Sequence, residues 1–228
     1  FALAGAPTGL FAEASAPAAA IVVPSYFWRD YPFSSEDRAR MQKTLLQAYA
    51  MAILAGLDPG VVPEELVARQ GRVKLWIVPA TQKLLSATWS ELVRRARDGA
   101  TVYASYYASD FDFHQGMWWD ERAMQQAIGA RHRLRYGVLD HPGDRVVLKA
   151  GKRAVMSCPV PPPYADEPMR SSFLPLEPTT AKTLLRDDKG RPALLANAVG
   201  KGRWLFNAFA VEYLLTLPIE PNASGATG

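Results

Sequence analysis

The fold class is indicated by RVKLWIVPATQKLL, which runs from Arg72 to Leu85. Its apolar run, residues 73–78, is interrupted only by Lys74, stops at Pro79 and is followed by a polar loop. A nearly continuous apolar run of this length is typical of a strand buried on both faces of a parallel sheet. Open α/β sheets place their ligands beyond the carboxyl ends of such strands. The loop PATQKLL contains no serine, cysteine or histidine, so we interpret it as a connection and not as a catalytic loop.

A helix and a second strand follow this first strand. Ser86 is the predicted N-cap of the helix ATWSELVRRARD, whose apolar residues recur at helical spacing, and Gly99 ends it. The next segment, ATVYASYY at residues 100–107, has the composition of a strand. A strand, a helix and a strand in this order form a βαβ unit with parallel strands. The sequence therefore predicts an α/β fold.

The flanking segments extend this pattern. Residues 18–25 (AAAIVVPS) predict an earlier strand. Ser34 or Ser35 is the predicted N-cap of a long helix that ends at Gly56. Helical spacing places one apolar face on this helix, formed by Met41, Leu45, Ala48, Tyr49, Ala52 and Ile53. Residues 58–71 (DPGVVPEELVARQG) predict a turn and a short helix. Further predicted elements are a helix at Asp120–Ile128, strands at Asp144–Lys149 and Val155–Val160, and antiparallel strands joined by turns at Asp187–Gly190 and Val199–Gly202.

Composition limits the class of protein. The chain has 228 residues, 49% hydrophobic and 21% charged, which is ordinary for a globular protein. The net charge of +4 is small and the basic residues are scattered, so we expect no nucleic-acid partner. No apolar run reaches the roughly 18 residues that a membrane span needs, and we expect no membrane partner. The start, FALAGAPTGLF, has no methionine and no basic region, so we expect a piece of a longer protein.

Few residues are of a type and spacing that suggest catalysis or metal binding. The single cysteine, Cys158, precedes a proline, and we predict that it is buried and inert. If SDFDFH is extended, Asp110, Asp112 and His114 share one face and could bind a divalent metal; the alternative is loop carboxylates with a capping histidine. A carboxylate pair for glycoside hydrolysis stays open for Asp110, Asp120, Glu121 and Glu212, but none of these ends a barrel strand. We expect no cofactor.

Trp118 and Trp119 are adjacent in a long irregular segment. Two neighbouring tryptophans point in different directions, so one of them could stack on a sugar or anchor an interface, with His114 nearby. Core packing of at least one is the alternative. The segment GKGRW, residues 200–204, lacks the spacing of a nucleotide-binding loop, and a hairpin turn is the better interpretation. The lone cysteine fits the cytoplasm and does not forbid secretion, so the compartment stays open.

Three segments together carry a family resemblance. They are VKLWIVPATQKLLSATWSELVRRARDGATVYASYY, GARHRLRYG and GRPALLANAVGKGRWLFNAFAVEYLL. Over residues 18–217 the chain resembles the middle, "trimerisation" domain of multidomain glycoside hydrolases such as the family 42 β-galactosidases. The segment VPSYFWRDYPF is closer to relatives fused to cellulase- or mannanase-like barrels. Residues 1–17 are then a linker or arm, and residues 218–228 a linker or tail.

This resemblance implies a flavodoxin-like, class I glutamine-amidotransferase-like three-layer sandwich. Its sheet would be mostly parallel, with antiparallel hairpin strands near the C-terminus. It also implies a non-catalytic domain that supports a separate (β/α)8 barrel, walls its cleft and forms homo-oligomers. No catalytic residue is carried over, because the two catalytic glutamates of such glycosidases lie on the barrel. The amidotransferase relatives use a cysteine that is absent at Ala108–Asp110, so that activity is not expected either. We expect two aromatic loops to form the interface and the cleft wall: Tyr26–Phe33, which contains Tyr26, Phe27, Trp28 and Tyr31, and His114–Trp119.

Two alternatives come from other functional classes. One is a free-standing hydrolase that uses Asp110, Asp112 and His114 around a metal. The other is a carbohydrate-binding module that uses Trp118 and Trp119 as a stacking platform for an oligosaccharide. The structural interpretation predicts instead an exposed apolar patch without a convergent polar site.

Overall fold

The structure, a computed structural model of the chain, describes residues 17–25, 35–79, 84–106, 121–132, 145–159 and 173–214. These residues form three α-helices, two 3-10 helices and eleven strands. The helices are α1 (Ser35–Leu54), α2 (Ser86–Arg97), α3 (Glu121–Ile128), and the 3-10 helices Glu64–Arg69 and Val211–Leu214. The strands are β1 (Ala19–Val23), β2 (Pro59–Pro63), β3 (Leu75–Val78), β4 (Thr101–Ser105), β5 (Ala130–His132), β6 (Arg145–Ala150), β7 (Arg153–Pro159), β8 (Leu176–Pro178), β9 (Lys182–Asp187), β10 (Pro192–Val199) and β11 (Gly202–Asn207).

Nine of these strands form one sheet in the order β2-β1-β3-β4-β11-β10-β9-β6-β7. The pairings from β2 to β11 are parallel, and those from β11 to β7 are antiparallel. Strands β5 and β8 form a separate antiparallel pair. The predicted α/β class is confirmed, with the predicted hairpin strands in the C-terminal region.

The opening stretch forms the centre of the parallel half. On β3, Trp76 and Val78 face one side of the sheet and are fully buried, while Ile77 faces the other. Helix α2 packs on the Trp76 side, where the rings of Trp89 and Trp204 lie 6.4 Å apart. The strand, helix and strand of the predicted βαβ unit are confirmed. The predicted cap is wrong by one residue, since Leu85 is the N-cap of α2 and Ser86 is its first residue.

Helix α1 covers the opposite side of the same strands. Its Ala52 packs with Ile21 of β1 and Ile77 of β3, and the ring of Tyr103 on β4 borders this cluster. Residues 21, 77 and 103 alternate with residues that face α2, so α1 and α2 lie on opposite sides. Helices therefore cover both sides of the parallel half of the sheet.

The segment predicted as a turn before the short helix is in fact a strand. Strand β2 (Pro59–Pro63) pairs in parallel with β1 at the edge of the sheet. Proline lacks the N–H that pairs strands, but an edge strand has one side without a partner and tolerates proline there. The short helix that follows was predicted and is present as the 3-10 helix Glu64–Arg69.

The segment GKGRW forms the predicted hairpin turn, and its glycines have a specific role. Gly200 has φ of +61°, and a Cβ there would lie 2.7 Å from the backbone of Arg97 at the end of α2. A Cβ on Gly202 would overlap the carbonyl oxygens of Ala96 and Ala100. The two glycines therefore let the hairpin approach the carboxyl end of α2.

The single cysteine and the predicted linkers lie at the periphery of the fold or outside the described residues. Cys158 is half-buried on the edge strand β7, so the prediction of a buried cysteine is wrong; an edge strand has one side open to solvent. The predicted linkers lie almost wholly outside the described residues. No helix in the described part of the chain has the length and apolar character to cross a membrane.

Candidate functional site

The residues that the sequence marked for function lie outside the described residues and stay predictions. They are Asp110, Asp112, His114, Trp118, Trp119, Tyr26, Phe27, Trp28 and Tyr31. Within the described ranges, no three histidine, cysteine, aspartate or glutamate side chains come together as a metal site. The candidate surfaces of the described part of the chain are therefore different ones.

The carboxyl ends of β1 and β3 meet at a buried carboxylate. The chain leaves β1 toward β2 on one side and leaves β3 toward β4 on the other, so this is the point where open α/β sheets bind ligands. Here Glu64, 2% exposed, accepts hydrogen bonds from the backbone N–H of Ser25 at 2.6 Å and of Leu85 at 2.7 Å. The hydroxyl of Thr88 donates a third, at 3.2 Å.

This arrangement closes the place where a ligand would bind. Leu85 precedes α2, and free N–H groups at a helix N-terminus are the donors that anionic ligands use. The side chain of Glu64 already accepts hydrogen bonds from these donors. A phosphate or carboxylate ligand would have to displace it to reach the amides of Ser25 and Leu85. The geometry therefore makes Glu64 a brace between three segments of the chain, and it does not resemble an open active site.

A second buried carboxylate lies near the ends of β4 and β11. Glu212 in the 3-10 helix Val211–Leu214 is 2% exposed. Burial raises the pKa of Glu212, and the nearby hydroxyls of Tyr103 and Ser105 oppose this only in part. Neither carboxylate oxygen has a described partner in good hydrogen-bond geometry. Burial, followed by the charge of Glu212, also raises the pKa of Tyr103 well above its ordinary value.

These groups do not assemble a catalytic set within the described residues. A carboxyl with a raised pKa in a cleft is a candidate acid or base. Hydrolysis by a nucleophile also needs an activated nucleophile beside its base. The single cysteine, Cys158, lies on β7 at the far edge of the sheet. Glu212 was one of the open carboxylate candidates in the sequence, and the structure places it beneath α1, which packs against its 3-10 helix.

The exposed surface with the clearest functional character is apolar. We call it the α1 patch; it consists of Leu46, Tyr49, Ile53 and Leu54 on α1 and Val61 on β2. Leu46 is 53% exposed and Val61 57%. Between them, a groove of about 590 Å³ is lined mainly by aliphatic side chains of α1, β1 and β2. Large apolar side chains grouped in this way mark interaction surfaces.

The sequence predicted this helix face only in part. Met41, Leu45, Ala48, Tyr49, Ala52 and Ile53 were expected to share one face of α1. Ala48 and Ala52 are buried, whereas Tyr49 and Ile53 are exposed, and the polar Thr44 and Gln47 are buried. Helical spacing cannot tell which neighbouring residues reach the sheet, because the crossing of helix and sheet decides it. The burial of Glu64 was also not predicted, because no pattern in the sequence around it indicates a buried side chain.

Comparison with known proteins supplies a fold but no family. No protein-family model matches the chain, and no curated protein matches it. Among solved structures, exo-β-1,4-mannosidase Op5Man5 from Opitutaceae bacterium strain TAV5 matches 87% of this chain with TM-score 0.63 and 16% identity, over 32% of its own length. Gan42B, a GH42 β-galactosidase from G. stearothermophilus, matches 85% with TM-score 0.60 and 16% identity, over 27% of its length.

The chain thus spans about a third or less of the length of these two glycosidases. A ThuA-like protein from Bacteroides uniformis is also similar, with TM-score 0.52 and 12% identity over 87% of this chain and 84% of that one. The same fold therefore occurs both as part of larger glycosidases and as most of a chain. The described fold is that of one portion of certain glycoside hydrolases.

Proposed function

We propose that this chain is a non-catalytic accessory domain of a multidomain glycoside hydrolase, which supports a separate (β/α)8 barrel and mediates oligomerisation. The fold likeness to portions of a mannosidase and a β-galactosidase supports the glycosidase context. The strand order β2-β1-β3-β4-β11 is the 2-1-3-4-5 order of flavodoxin-like sheets, which supports the finer fold assignment.

The α1 patch is the observation that carries this proposal. Its five side chains expose apolar surface on one side of the molecule, beside a groove that is itself apolar. Burial of such surface stabilises an interface by about 25 cal/mol per Å² before the costs of association. The closed ligand position at Glu64 supports the non-catalytic part, because the usual binding point of this sheet type is occupied by the chain itself.

Light scattering on the 228-residue chain at two concentrations tests the oligomerisation. We expect a mass above that of the monomer, 25.1 kDa, which rises with concentration. Leu46→Glu places a charge in the patch and should shift the mass to that of the monomer. The matched control is Val155→Glu, because Val155 is similarly exposed (49%) but lies on β7, away from the patch.

Three results would contradict the proposal. A strict monomer at both concentrations removes the oligomerisation role. An assembly that Leu46→Glu leaves intact removes the α1 patch as its interface. Loss of assembly in both variants would mean that the added charge acts through solubility and not through the patch.

A further inference from the structure

The antiparallel half of the sheet has one side that the described helices do not cover. Helix α1 packs at β1 and β2. Helices α2 and α3 pack near β4, β10 and β11, on the side of the sheet that Trp76 faces, where the larger apolar core lies. The core residues Leu148, Leu185, Leu195 and Trp204 point to that covered side. Because side chains alternate along a strand, their neighbours on β6, β9, β10 and β11 point the other way.

Five of these neighbours are basic, and we call this surface the basic face. It consists of Arg145 and Lys149 on β6, Lys182 and Arg186 on β9, and Arg203 on β11. Lys149 is half-buried and the other four are exposed. From β11 to β6 the face spans three strand spacings, or about 14 Å. These described strands place no carboxylate on it; the nearest one in β9, Asp187, is buried on the core side.

The charges of the basic face are not neutralised within the described part of the chain. Elsewhere, Arg94 and Arg95 pair with Glu91, and Arg191 pairs with Asp187. On the basic face, Arg145 donates only to the hydroxyl of Ser157 at 3.0 Å, and Arg186 to the carbonyl oxygen of Gly190 at 2.8 Å.

One pair of like charges on the basic face destabilises the sheet. Lys149 and Arg186 stand directly opposite each other in the β6–β9 pairing. Like charges in directly opposed positions destabilise a sheet. Contacts among the described residues therefore give no reason for this pair, and an external anionic surface would offset the repulsion by attracting both charges.

Aliphatic side chains between the charges indicate the class of partner. Leu184, Leu194 and Leu205 lie on the same side as the basic residues; Leu184 is 39% exposed and the other two are half-buried. The described residues of this face include no aromatic ring on which a sugar could stack. A protein interface, in contrast, buries aliphatic side chains at its centre and pairs charges around them.

We propose that the basic face binds an acidic surface of another protein domain, in which carboxylates are interspersed with aliphatic side chains. The same face of a second copy is not the partner, because two such faces would bring five positive charges against five. This surface is separate from the α1 patch, so the proposal stands whether or not the chain forms oligomers.

Binding of a fluorescein-labelled peptide of alternating glutamate and leucine to the 228-residue chain tests this, with fluorescence anisotropy as the readout. We expect binding that weakens as salt increases, since the contact is partly electrostatic. The double variant Lys182→Glu/Arg203→Glu should weaken it at least tenfold. The control Lys74→Glu/Lys152→Glu changes the net charge equally at exposed positions outside the face, and should leave it within about twofold of the parent.

A single variant separates a binding role from a structural one. Lys149→Glu replaces the repulsion with Arg186 by an attraction, so it should raise the urea midpoint of unfolding while it weakens peptide binding. Equal losses in the two double variants, or no detectable binding of the peptide by the parent, would overturn the proposal. So would tighter binding of polygalacturonate than of the peptide, since that would make the ligand an anionic polysaccharide.

Discussion

Removal of the Glu64 carboxylate should destabilise the fold. In Glu64→Ala the backbone N–H groups of Ser25 and Leu85 lose their acceptor, and each unsatisfied buried donor costs about 1–3 kcal/mol. Ser25 is 5% exposed, so its N–H cannot turn to solvent, whereas Leu85 is 40% exposed and water can reach it more easily. Thr88 keeps the carbonyl oxygen of Glu64 as a partner. We therefore expect the free energy of unfolding to fall by about 3 kcal/mol.

Urea unfolding at neutral pH, followed by tryptophan fluorescence, measures this change. Glu64→Gln keeps one acceptor but turns an NH₂ group toward the other donor, so it should lose about 2 kcal/mol. Glu65→Ala is the matched control, because Glu65 is the next residue of the same 3-10 helix and is exposed; it should lie within about 0.5 kcal/mol of the parent. If Glu64→Ala is as stable as this control, the carboxylate does not brace the fold.

Two further variants test the packing of β11 and the burial of Glu212. Gly202→Ala should lower the free energy of unfolding by about 3 kcal/mol, because the hairpin must move away from α2. Gly190 has a positive φ but open space around it, so Gly190→Ala should lower the free energy of unfolding by only about 1 kcal/mol. Equal losses of the two variants in a urea titration would show that steric overlap is not the cause. Because the pKa of Glu212 is raised above its ordinary 4.5, the folded chain keeps a proton that the unfolded chain releases, so stability falls as pH rises from 4.5 toward the folded value. Glu212→Gln should therefore be more stable than the parent at pH 8 and lose this advantage near pH 4.5, and a difference independent of pH would contradict the raised pKa.

Several elements of the fold are encoded by short segments of the sequence. The strand at Trp76, the helix after Ser86 and the turns at Gly190 and Gly200 are each encoded within a few residues, by apolar runs, helix boundaries and glycines. These features were predicted correctly. The turn predicted before the short helix was wrong, because Pro59–Pro63 forms the edge strand β2, a position that tolerates proline.

The α/β class, the βαβ unit and the C-terminal hairpin strands follow from short-range sequence patterns, because hydrophobic period and turn residues act over short distances. Which residues share a surface depends instead on how distant segments pack together. Strand order brings Lys149 opposite Arg186 and gathers basic residues that are scattered in the sequence onto one side. The crossing of α1 over the sheet exposes Leu46 and Tyr49, and the meeting of three segments buries Glu64. Each depends on contacts between residues distant in the chain, for which no local pattern exists.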